Sequence, residues 1–205
     1  MSTSPEPSTP KTLPLARSTL RFPVVGIGAS AGGVSALQRV LGALPAALPC
    51  PALVVLHIPR DRPSRIAELL DPGSALRVRE AEDKQPLEVG TVTFAPPDYH
   101  MLVEDEGSIA LSLDEAVLFS RPAIDPLFES AAAVFGADVL AILLTGASSD
   151  GSEGVAAVRQ AGGQAWLQCP EDAEAPMMPA SALQRAGADA VLTLDELCEC
   201  LKELK

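Results

Sequence analysis

Continuous apolar runs alternate along the chain with stretches whose apolar residues recur every three or four positions. Phe22 to Gly28 is apolar on both faces, as a central parallel strand requires. From Gly33 to Leu44, the residues Val34, Leu37, Val40, Leu41 and Leu44 fall at helical spacing, and Pro45 and Pro49 close the segment. Ala52 to His57 predicts a second buried strand, and Pro63 to Leu70 a short helix stopped by Asp71-Pro72-Gly73. The middle third changes character. Arg77 to Ala81, Thr91 to Ala95, Met101 to Glu104 and Ser108 to Leu113 are short runs of partial two-residue alternation. Turn signals at Glu88-Val89-Gly90, Pro96-Pro97-Asp98 and Glu106-Gly107 separate them. This pattern predicts a meander or hairpin inserted among α/β units.

Ile124 to Phe135 returns to helical spacing, with Ile124, Leu127, Phe128, Ala131 and Phe135 on one face. Val139 to Thr145 is the most apolar strand candidate, followed by a helix from about Glu153 to Ala161. The remaining elements are a strand at Gln164 to Gln168, a helix at Ala180 to Ala186, a strand at Ala190 to Leu192 and a helix at Leu194 to Leu204. Strand and helix thus alternate without an internal repeat. The expected fold class is α/β: a doubly wound, mostly parallel sheet with helices on both faces and a small antiparallel hairpin element. Residues 22–205 are read as one domain. Residues 1–21 are read as a disordered tail, rich in Pro, Ser and Thr and poor in apolar residues.

Composition narrows this picture. Aromatic residues make up only 3% of the 205, so the core must be aliphatic. The formal net charge is -12 with no basic run, which argues against nucleic acid as a partner. The four cysteines, Cys50, Cys169, Cys198 and Cys200, form no C-x-x-C pair and have no histidine at zinc-ligand spacing. No metal or cofactor is expected, and the cysteines read as reduced thiols of a cytoplasmic protein. No apolar stretch is long enough to span a bilayer, and Met1 to Arg21 has no apolar signal region, so no membrane insertion is expected.

The candidate chemistry lies at strand ends, where open parallel sheets place their sites. Gly28-Ala29-Ser30-Ala31-Gly32 matches G-x-S-x-G, a turn that holds a serine between strand and helix. The same residues match a loose dinucleotide fingerprint, Gly26-x-Gly28-x-x-Ala31. That reading needs an acid at the end of the second strand to bind the ribose. This strand instead ends Leu56-His57-Ile58-Pro59, with Asp61 the nearest acid. His57 closes the second strand, and Asp150 follows the Val139 to Thr145 strand. A hydroxyl, an imidazole and a carboxylate are the set that acyl transfer needs. Each residue also has an ordinary reading: Ser30 and Asp150 as helix caps, His57 as a satisfied core histidine. Their order differs from that of the α/β-hydrolases, in which the acid precedes the histidine. His100, in the meander, is a poorer base.

Several blocks, in order, resemble the catalytic domain of chemotaxis protein-glutamate methylesterase, the CheB family. They are VVGIGASAGGVSALQRVLGALP, LVVLHIP, VREAEDKQPLEVGTVTFAPPDYHMLV, RPAIDPLFESAA, AILLTGASSDGSEGVAAVRQAGG and PASALQRAGADAVLTLDEL, covering about residues 23 to 197. The resemblance implies a cytoplasmic signal-transduction hydrolase. It would cleave glutamate γ-methyl esters on the cytoplasmic helices of bacterial chemoreceptors and release methanol, and many members also deamidate receptor glutamines. It implies Ser30 as nucleophile, His57 as base and Asp150 as acid, with backbone N–H groups of Ala31 and Ala147 as oxyanion donors and Arg121 as a substrate-binding residue. The family's loop usually reads TGMGxDG, whereas here it is Thr145-Gly146-Ala147-Ser148-Ser149-Asp150-Gly151. Leu118-Phe119-Ser120 stands where the family usually bears His or Arg. A Pro-rich stretch occupies the place of the usual receiver domain, so activity is expected to be unregulated or governed by a separate regulatory phosphoprotein. The altered loop motivates an alternative, a CheB-like adaptor with weak or no activity that binds receptors or signalling proteins.

Overall fold

The computed structural model describes residues 23–104 and 107–204. The expected tail at 1–21, together with Phe22, Asp105, Glu106 and Lys205, lies outside the described residues. Along the chain come β1 (Val24–Ala29), α1 (Gly33–Ala43), β2 (Ala52–Leu56), α2 (Ile66–Leu70), β3 (Arg77–Glu80), β4 (Thr91–Phe94), β5 (His100–Val103) and β6 (Ile109–Ser112). Then follow α3 (Ile124–Phe135), β7 (Val139–Leu143), α4 (Ser152–Gln160), β8 (Gln164–Gln168), α5 (Met177–Ala186), β9 (Ala190–Leu192) and α6 (Leu194–Leu201).

Seven strands form one parallel sheet in the order β3-β4-β2-β1-β7-β8-β9. One face packs residues of α1, α2 and α6, among them Leu37, Leu41, Ile66, Leu70, Leu197 and Leu201. The other face packs α3, α4, α5 and the β5–β6 hairpin through Ile124, Leu127, Phe128, Val155, Met178 and Met101. Burying each large aliphatic side chain contributes about 1.5–3 kcal/mol. Among the described residues, no helix is long and apolar enough to cross a membrane.

The expected meander divides into two parts. Of its four strands, β5 and β6 pair antiparallel. β3 and β4 instead join the main sheet, pairing parallel with each other, and β4 pairs parallel with β2. The misleading alternation has a local cause in each strand. Thr91 and Thr93 are buried within β4, and the Thr91 hydroxyl is satisfied by the carbonyl of Glu88 at 2.7 Å. β3 is an edge strand with mixed burial, so it alternates like an antiparallel one.

The strand order reverses at β1. The chain builds outward through β2 on one side and through β7 on the other, which makes the carboxyl ends of these strands the expected place for a site. Gly28 controls how closely a helix approaches there. A Cβ at Gly28 would stand 2.6 Å from Ile124 Cγ2, so α3 can begin this near the sheet only because β1 presents no side chain at that point.

Candidate active site

Ser30 follows directly after β1 and is partly exposed. Its backbone N–H donates to the carbonyl of Thr145 at 2.9 Å, which ties it to the end of β7. The helix that follows is capped by Gly32, at φ 74 and without a side-chain cap, so the Ser30 hydroxyl is not that helix's cap. Gly32 takes a left-handed conformation that suits glycine. His57 directly follows β2, and its N–H donates to the carbonyl of Ala29 at 3.1 Å. The two residues therefore leave neighbouring strands side by side.

Asp150 is 0% exposed, and its carboxylate reaches His57, with Nε2 at 2.7 Å from Oδ2. Three backbone donors hold the same carboxylate: Ile124 N at 2.7 Å, Asp125 N at 3.0 Å and Gly151 N at 2.9 Å. Two of these are the first N–H groups of α3, whose own N-cap, Ala123, offers no side chain. Asp150 thus caps α3 from a distant segment, where the helix dipole favours an anion. Burial pushes the Asp150 carboxyl upward. The His57 contact and the Ile124 and Asp125 N–H bonds more than reverse this and hold it below the usual range.

Asp125 lies directly behind this carboxylate. Its Oδ1 accepts the N–H of Gly154 at 2.7 Å, and its carboxyl is within hydrogen-bonding reach of Asp150. Burial raises it to about 7, against the Gly154 bond, and the charge of Asp150 adds to the rise. The two carboxyls are thus pushed in opposite directions, Asp125 up and Asp150 down, which favours the charge on Asp150 beside His57.

The expected oxyanion donors lie on the loops that follow β1 and β7. Among the described residues, neither Ala31 N–H nor Ala147 N–H is used by another protein group, and both residues are exposed. Thr145 locks the two loops together. Its hydroxyl donates to the carbonyl of Ala31 at 2.9 Å and accepts the N–H of Ala175 at 2.8 Å. Gly146 is covered by Met178, since a Cβ there would meet that side chain at 2.6 Å.

Two residues near His57 differ from simple expectation. Arg121, expected to bind substrate, spends its guanidinium on the protein: it donates to Asp98 Oδ1 at 2.8 and 3.1 Å, and to the carbonyls of Leu113 and Asp114 at 2.9 Å each. Ser120 supplies the second partner of the imidazole, its Oγ 3.3 Å from Nδ1. Among the described residues the ring is hydrogen-bonded to Asp150 and Ser120, and not to Ser30. His100 is buried and structural: Nδ1 accepts from Ala123 N, and Nε2 lies 3.1 Å from the Glu115 carbonyl. Sequence reasoning singled out neither Asp125 nor Ser120 as site residues. An acid in the first turn of a mostly apolar helix was the available signal for Asp125, and no local pattern marks Ser120.

Residues 25–201 match the protein-family model described as CheB methylesterase. A Leptospira interrogans protein, provisionally named protein-glutamate methylesterase/protein-glutamine glutaminase, is 37% identical over 180 residues, 88% of this chain and 93% of that protein. Protein-glutamate methylesterase/protein-glutamine glutaminase 3 of Anaeromyxobacter dehalogenans is 40% identical over 97% of this chain, which spans 56% of that longer protein. The crystal structure of the Thermotoga maritima CheB methylesterase catalytic domain aligns with a TM-score of 0.84 at 32% identity, covering 89% of this chain and 98% of that one.

Proposed function

The chain belongs to the CheB methylesterase family, and from that premise we propose that it hydrolyses glutamate γ-methyl esters on the cytoplasmic helices of bacterial chemoreceptors. The names of its relatives pair this activity with glutamine deamidation, which uses the same acyl chemistry and releases ammonia instead of methanol. The observation that carries the reading is the buried His57–Asp150 contact at 2.7 Å, next to the strand end that bears Ser30.

Because Nε2 is directed at Asp150, Nδ1 is the nitrogen that acts as base. Ser30 Oγ attacks the ester carbonyl carbon while Nδ1 takes the hydroxyl proton. The N–H groups of Ala31 and Ala147 hold the developing oxyanion. The bond to methoxide breaks, Nδ1 returns its proton to that oxygen, and methanol leaves. Water then gives a proton to Nδ1 as its oxygen attacks the acyl carbon, and collapse restores Ser30 and frees the glutamate carboxyl. The serine–base contact is open without substrate, as is common in unliganded sites. Arg121 holds the loop beside the site through its four protein contacts. A groove of about 610 Å³ starts one residue past His57, its apolar lining from Ile58, Pro59, Ile66 and Leu69 flanked by Arg62, Arg65 and Glu68, and it suits an amphipathic helix.

The test is methanol release from methylated receptor. Ser30→Ala is expected to cut the rate at least about 10⁴-fold, and equal rates would exclude Ser30 as nucleophile. The adaptor reading has one observation on its side, that Ser120 and not Ser30 bonds Nδ1. Labelling of Ser30 by a fluorophosphonate separates the two, since an inactive adaptor leaves it unmodified.

A further inference from the structure

We propose that Ser120 is a positioning residue for His57 that acts as a latch, occupying the base nitrogen until the substrate helix displaces it. The inference rests on the reading of Ser30 as nucleophile and His57 as base. Nε2 donates its proton to Asp150, so Nδ1 carries the free lone pair. The hydroxyl aimed at that lone pair is that of Ser120, at 3.3 Å, and it donates. Ser30 must pass its own proton to the same lone pair. A single lone pair takes one well-aligned donor, so the two serines compete for it.

The segment that carries Ser120 is strained. Val117 and Ser120 pair across a two-residue turn, with N–H···O distances of 2.8 and 3.1 Å. Its central residues, Leu118 at φ 45 and Phe119 at φ 68, both lie in the left-handed region. Asn-Gly suits such a turn, whereas leucine and phenylalanine are strained in it. Strain of this kind persists only where the surroundings impose it. Here the Arg121 contacts to Asp98, Leu113 and Asp114 impose it from the next residue along. The turn's tip is uncovered: Phe119 is 96% exposed, and Leu118 and Leu113 are exposed beside it. An apolar tip one residue from the latch gives an incoming helix something to bury. Covering Phe119 compensates for breaking the Ser120 bond, so the base is freed when the ester arrives. Ser120 forms no covalent bond in this scheme and returns to Nδ1 after product leaves.

The experiment compares p-nitrophenyl acetate, too small to reach Phe119, with a methylated receptor helix, and follows fluorophosphonate labelling by mass spectrometry. Ser120→Ala should hydrolyse the small ester and label Ser30 about fivefold faster, the weight of one neutral hydrogen bond. Ser120→Thr, which keeps the hydroxyl, should return both rates to wild type. Phe119→Ala should lower kcat/KM on the receptor helix by a larger factor than on the small ester, and equal changes on both would overturn the role of the tip. A gain in labelling at Ser30 cannot come from a misfolded variant, because the label needs the assembled base. A small-ester rate in Ser120→Ala that is unchanged or lower overturns the latch while leaving Ser30, if still labelled, as nucleophile. A label mapped to Ser120, or absent from Ser30 in every variant, overturns the nucleophile reading as well.

Discussion

The two sides of the His57 ring are built on opposite plans. On the Nε2 side, Asp150 is wholly buried and gripped by three backbone N–H groups, two of them from the start of α3. On the Nδ1 side, Ser120 makes one longer contact from a strained turn whose tip is exposed. The first plan fixes an orientation, because moving the carboxylate would leave several buried donors unpaired at once. The second holds a partner that can be exchanged, because a single neutral hydrogen bond to a partly exposed group is cheap to break. A base needs one partner that stays and one that changes during each turnover.

The largest test of this contrast removes the fixed side. Asp150→Asn loses the charge beside Nε2 and leaves one pair of donors without an acceptor, so kcat should fall about 10⁴-fold and thermal stability should fall by about 1–3 kcal/mol. A loss of tenfold or less would mean that Asp150 does not orient the base.

Gly28→Ala attacks the same side through the backbone. The new methyl would press on Ile124, costing about 1–3 kcal/mol of stability and shifting the N–H groups that hold Asp150. Thermal unfolding and methanol release should decline together. A stable variant with normal activity would show that α3 does not need its close approach.

Asp125→Asn sharpens the role of the carboxyl behind Asp150. The Asp125 carboxyl sits at about 7 when folded, above its unfolded value, because of burial and the nearby Asp150 charge. Its favourable contribution is therefore complete below about pH 4 and is lost as pH rises through about 7. Asparagine keeps an acceptor for Gly154 and a donor for Asp150 without titrating. The variant should gain on the order of 1–2 kcal/mol over wild type at pH 8, discounted for partial screening, and match it near pH 4. Denaturant midpoints at the two pH values measure this, and a constant difference between them would exclude a raised Asp125 carboxyl.

The smallest effect belongs to the exchangeable side. Leu118→Gly relieves a left-handed leucine and should raise stability by about 0.5–1 kcal/mol in thermal unfolding. Destabilisation would mean that the turn holds no strain.

Much of this was legible in the sequence. α3 and β9 lie where periodicity put them, and Ser30, His57 and Asp150 follow the strands expected to carry them. Asp150 illustrates the limit of such reading. An aspartate before a glycine and a helix looks like a local cap, yet its carboxylate caps a helix 25 residues earlier in the chain. β4 shows the same limit, because a threonine such as Thr91, satisfied by backbone, looks polar in a sequence and behaves as core in a sheet.

The sequence by itself determined the elements, their α/β alternation and the three chemical groups at strand ends. Hydrophobic periodicity and glycine turns act between near neighbours, so they can be read along the chain. Only the tertiary structure decided which nitrogen of His57 faces Asp150, that Asp125 is buried behind that carboxylate, that Arg121 is spent on holding a loop, and that Ser120 meets the base. Each of these depends on the distance between side chains far apart in sequence. Hydrogen bonding and charge act over that distance in space, and no local pattern records it.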